Sequence, residues 1–153
     1  MSEALKQLRD RIDAIDDRVL EMLNERAGLA QRIGHLKNDG PIYRPEREAQ
    51  VLRRLTEANA GPLPNSAVEL LFREVMSACR ALEQPLTVAY LGPEGTFSEA
   101  AMVKQFGQST RGMPVASIDE VFQAVEQGAA HYGVVPVETS TEGAISRTLD
   151  MLL

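Results

Sequence analysis

Residues 4–37 read ALKQLRDRIDAIDDRVLEMLNERAGLAQRIGHLK. Apolar side chains recur at Leu5, Leu8, Ile12, Ile15, Val19, Met22, Leu29 and Ile33 in alternating steps of three and four, and the seam position between Met22 and Leu29 is held by Arg26. That spacing keeps one face of an α-helix apolar, and no proline interrupts it. A helix over about residues 4–37 spans roughly 50 Å at about 1.5 Å per residue. A small monomer cannot cover so long a stripe, so a second copy of the chain is the expected partner.

Asn38-Asp39-Gly40-Pro41 stops this helix, and Pro45 suits the first turn of a second one over about residues 46–58. Gly61-Pro62-Leu63-Pro64 ends the second helix. Ser66 followed by Glu69 has the spacing of a capping box for a third, whose stripe is Phe72, Met76, Cys79 and Glu83. After Gln84-Pro85 the pattern changes to short β-type runs at residues 87–91, 114–116 and 132–137, each followed by a turn and a helix signal. Capping-box spacing recurs there at Thr96 with Glu99, Ser117 with Glu120 and Thr139 with Glu142. The expected architecture is an all-α three-helix domain over residues 1–85, followed over 86–153 by an incomplete α/β domain. Its mainly parallel sheet would gather helix N-termini at the carboxyl edge, where small anions bind.

Charge divides the chain at the same place. Thirteen of the sixteen Lys and Arg residues precede residue 87, while eight of the twenty-two acids follow it. The net charge of −6 gives no nucleic-acid footprint. A single cysteine excludes an internal disulfide framework, the two histidines lack metal-ligand spacing, and a reducing cytoplasm fits this composition. The charged N-terminus is unlike a signal peptide, and no apolar run is long enough to span a bilayer.

Arg26 on the apolar seam is compatible with snorkelling or with pairing to Glu25, but its setting suggests more. Lys37, eleven residues on, returns to nearly the same helical face, and Arg47 opens the second helix. Three cations can thus converge on one cavity. Arg9 lies seventeen residues before Arg26, roughly 25 Å along the same helix, so it cannot join that cavity within one subunit. It can reach the partner's cavity if two long helices pair antiparallel.

The order LRDRIDAIDDRVLEMLNERAGLAQRIGHLK, YRPEREAQVL and LFREVMSACRALEQP over residues 5–85 resembles the helical class of chorismate mutases. The resemblance implies that Arg26, Lys37, Arg47 and Arg9 of the partner subunit bind the two carboxylates and ether oxygen of chorismate, and that Glu48 receives its ring hydroxyl. It implies a homodimer and a reaction, the Claisen rearrangement to prephenate, that uses no cofactor or metal. Glu83 stands where many members carry a glutamine that donates to the ether oxygen. A carboxylate must be protonated to do so, and we expect burial beside a bound dianion to keep Glu83 in that form. Cys79 stands where a serine is common and is a small residue of the helical stripe at the substrate pocket, whereas Arg44 replaces a common acidic residue.

In the second part, YLGPEGTFSEAA, SIDEVFQAVEQG and GVVPVETSTEGAI resemble the opening half of the prephenate dehydratases, whose fold is like that of periplasmic binding proteins. The resemblance implies that Glu138, Ser140 and Thr141 belong to a substrate cleft, with Thr139 in place of the usual asparagine. Together the two parts resemble the bifunctional chorismate mutase/prephenate dehydratases of phenylalanine biosynthesis. Without a second dehydratase subdomain, residues 1–153 are expected to have mutase activity but no dehydratase activity. The alternative is a non-catalytic helical dimerisation module joined to a small-molecule-binding α/β fragment.

Overall fold

The computed structural model describes residues 2–36, 44–82, 86–137 and 151–152. They fall in two compact units, Met1–Gly40 and Pro41–Leu153. The first unit is one helix, α1 (Glu3–Leu36), with none of its residues buried. Its apolar seam side chains, from Leu5 at 41% to Met22 at 67% exposed, form a stripe interrupted at Arg26. The expected long helix is present, and its face lies open.

In the second unit, α2 (Pro45–Ala58) begins with proline in its first turn, where the missing N–H leaves no helix bond unmade. Helix α3 (Asn65–Ala81) packs on it through Val51, Leu52 and Met76, flanked by Leu55 and Phe72. Ser66 does not cap α3. The chain is extended at Pro64 (φ −70°, ψ 155°), whose carbonyl accepts the N–H groups of Ala67 and Val68, so the helix starts one residue before Ser66.

The α/β region runs β1 (Thr87–Leu91), α4 (Phe97–Phe106), β2 (Arg111–Val115), α5 (Ile118–Glu126) and β3 (Tyr132–Val134). The strands are parallel in the order β2-β1-β3. Alternation along β1 sends Val88 and Tyr90 towards Met102 and Phe106 of α4, and Ala89 towards Val121 and Ala124 of α5. Both faces of β1 are thereby covered, as a central parallel strand requires.

Two strands differ from the sequence expectation. The expected 114–116 run starts three residues earlier, because Gly112 presents no side chain where Tyr90 and Met102 press on the strand; a Cβ there would stand 3.0 Å from the Tyr90 ring. It also stops before Ala116, whose N–H donates to the Glu120 carboxylate at 2.8 Å. Strand β3 ends at Val134 rather than 137, ahead of Pro136, which has no N–H to donate.

Candidate functional site

The first turn of α2 carries Arg47 and Glu48, with Glu48 N–H donating to the Arg44 carbonyl at 3.0 Å. Arg47 is exposed and Arg44 half-buried. Glu48 turns inward, where its Oε2 stands 2.9 Å from Arg80 Nε in an ion pair whose side chains are only 12% and 9% exposed. Arg80 lies near the end of α3, next to Cys79, which is buried. Its Nη2 also donates to the Phe106 carbonyl at 2.9 Å. Nη2 makes the hydrogen bond to the carbonyl, while Nε meets the Glu48 carboxylate as an ion pair at 2.9 Å without hydrogen-bond geometry, both from one planar guanidinium.

The site expected from sequence does not include Arg80. The available signal is its place four residues after Met76 on the apolar stripe of α3, since an arginine there must find a counter-charge or snorkel. Which counter-charge it finds depends on packing between helices.

Helix α1 carries Arg9, exposed, and Arg26, half-buried. Seventeen residues of continuous helix hold them roughly 25 Å apart, too far for both to touch one small ligand from the same helix. Lys37 and Glu83 lie outside the described residues. Of the expected mutase residues in the second unit, the structure therefore brings Glu48 against a new partner, Arg80, and buries Cys79 beside it.

At the carboxyl edge of the sheet, Gly92-Pro93-Glu94-Gly95-Thr96 joins β1 to α4. Thr96 caps α4 by accepting the Glu99 N–H, and Ser117 caps α5 by accepting the Glu120 N–H. In each case the glutamate reaches back one residue beyond the cap, to the N–H of Gly95 (3.0 Å) or Ala116 (2.8 Å). Tyr90, buried under this turn, donates to Glu99 at 2.8 Å, and burial together with the neighbouring carboxylate pushes its phenol up to about 12. Glu138, Ser140, Thr141 and the third capping pair, Thr139 with Glu142, lie outside the described residues. Among the described residues no His, Cys, Asp and Glu side chains cluster as metal ligands, and no helix is long and apolar enough to cross a membrane.

Comparison with known proteins finds two family models along the chain. The model of the family described as chorismate mutase type II matches residues 8–84, and that described as prephenate dehydratase matches residues 88–153. Bifunctional chorismate mutase/prephenate dehydratases from Stutzerimonas stutzeri and Pseudomonas aeruginosa are 56% and 54% identical over 100% and 99% of the chain. The chain spans 44% and 43% of their lengths. Among solved structures, a chorismate mutase from Thermus thermophilus is similar at a TM-score of 0.52 with 37% identity, over 54% of this chain and 96% of that one. The chorismate mutase from Helicobacter pylori in complex with prephenate is similar at 0.52 with 30% identity, over 54% of this chain and 92% of that one.

Proposed function

Since the chain belongs to the chorismate mutase type II family, we propose that it catalyses the rearrangement of chorismate to prephenate. The match over residues 8–84 carries this reading. The reaction is an isomerisation within one molecule: the ether C–O bond breaks as a C–C bond forms, and nothing enters or leaves. A protein accelerates it by holding the dianion in its compact conformer and by stabilising negative charge as it gathers on the ether oxygen.

Each residue has a role suited to that task. Arg26, Lys37, Arg47 and Arg9 of the partner subunit bind the two carboxylates and the ether oxygen. Glu48 receives the ring hydroxyl, Glu83 in its protonated form donates to the ether oxygen, and Cys79 lines the pocket. The roughly 25 Å between Arg9 and Arg26 supports a site shared between two copies, and so does the exposed apolar stripe of α1, which a second α1 would cover. We place the mutase domain at residues 1–85 and the protein in the cytoplasm. Residues 86–153 form the N-terminal part of a prephenate dehydratase domain, with Glu138, Ser140 and Thr141 in its cleft.

The direct experiment follows chorismate loss by absorbance and prephenate formation by acid conversion to phenylpyruvate. Turnover that disappears in Arg26→Ala is expected. A folded chain that leaves chorismate at its spontaneous rate would overturn the reading in favour of a non-catalytic dimerisation module.

A further inference from the structure

Arg80 touches both family-matched parts of the chain at once. Nε pairs with Glu48 at the start of α2, and Nη2 donates to the carbonyl of Phe106, the last residue of α4. Two further contacts bring α3 to the same end of α4. The Glu74 carboxylate accepts the Gln108 N–H at 3.0 and 3.2 Å. Gly107, at φ +88°, lies so close to α3 that a Cβ on it would collide with Cβ and Oγ of Ser77. Helix α3 belongs to the segment matched by the mutase family, and α4 to that matched by the dehydratase family.

We propose that Arg80 is a positioning residue that makes the orientation of Glu48, and with it mutase turnover, depend on the docking of the α/β segment against α3. This rests on the reading that Glu48 receives the chorismate ring hydroxyl. The guanidinium is planar, so anchoring Nη2 on the Phe106 carbonyl sets the plane from which Nε meets Glu48. A carboxylate has two oxygens and about four lone-pair sites, enough to hold Arg80 and accept a substrate hydroxyl together. Displacing α4 would tilt that plane, and a misplacement of about 1 Å in a positioned group can cost on the order of a hundredfold in rate.

The test uses the full chain, with kcat and KM measured separately on chorismate and folding checked by circular dichroism. Arg80→Met should lower kcat/KM by about tenfold or more, and Arg80→Lys should restore only part of it, since an ammonium lacks the fixed plane. In a Glu48→Gln background, Arg80→Met should change kcat/KM by less than about twofold, because a residue that acts through Glu48 is not additive with its loss. Gly107→Ala alters no atom of Arg80 or Glu48, yet should lower kcat/KM by about threefold or more; Glu74→Ala is the second undocking variant if Gly107→Ala does not fold. Additive Arg80 and Glu48 effects, or undocked variants that are folded and have wild-type kcat/KM, would overturn the coupling and leave the mutase reading intact. An unmodified chain without turnover removes that reading and the coupling with it.

Discussion

The Tyr90 hydroxyl donates to the Glu99 carboxylate at 2.8 Å, tying the carboxyl end of β1 to the first turn of α4. The same carboxylate accepts the Gly95 N–H, so one side chain organises the βα turn from both sides.

Burial first, and then the hydrogen bond and charge of Glu99, raise the Tyr90 phenol from 10.0 to about 12. A group raised in the folded state keeps its proton where the unfolded chain loses it. Its stabilisation is therefore complete below pH 10 and is lost as pH rises towards 12. Urea denaturation at stepped alkaline pH should show a steeper loss of stability in the wild type than in Tyr90→Phe, which should itself cost about 1–2 kcal/mol at neutral pH. Identical slopes would exclude this role for the phenol.

The two Ser/Thr-x-x-Glu sites with different outcomes make a matched pair. Thr96→Ala removes an observed cap and should destabilise the α/β region by about 1 kcal/mol, whereas exposed Ser66→Ala should change stability by less than about 0.5 kcal/mol. Denaturant midpoints of both variants test this, and equal effects would contradict the assignment of Pro64 as the cap of α3.

A site shared between subunits predicts complementation. Arg9→Ala and Arg26→Ala should each lose about a hundredfold or more in kcat/KM. Random mixing of the two makes half the dimers hybrid, each with one intact site, so about a quarter of wild-type activity should return. Mixtures that exchange subunits yet are no more active than their components would overturn the shared site.

If a protonated Glu83 is the donor proposed above, kcat should fall as rising pH removes that proton. The amide of Glu83→Gln donates without titrating and should flatten the alkaline limb. A mutant pH profile superimposable on the wild-type one would exclude Glu83 as the donor.

Much of the fold was legible because its signals are local. The three-and-four spacing from Leu5 to Ile33 marked α1 to within a residue at each end, and Pro45 marked the start of α2. Thr96 and Ser117 announced α4 and α5 through capping boxes that need only four residues of sequence. The failures arose where a residue outside the motif decided. Ser66 has cap spacing, but Pro64 already holds the chain extended and supplies the accepting carbonyl. Arg111, Gly112 and Met113 have little strand character of their own, yet β1 pairs with them and Tyr90 and Met102 fill the space above Gly112.

The candidate site divides in the same way. The cations on α1 and Arg47 could be assigned to faces from helical period, the arithmetic of one straight helix separates Arg9 from Arg26, and Glu48 was named only through the resemblance to the helical chorismate mutases. Only the tertiary structure decided that Glu48 meets Arg80, thirty-two residues away, and that Arg80 also reaches Phe106 across twenty-six more. A buried charge takes its partner from whatever the packed elements bring within about 4 Å, and that proximity has no period along the chain.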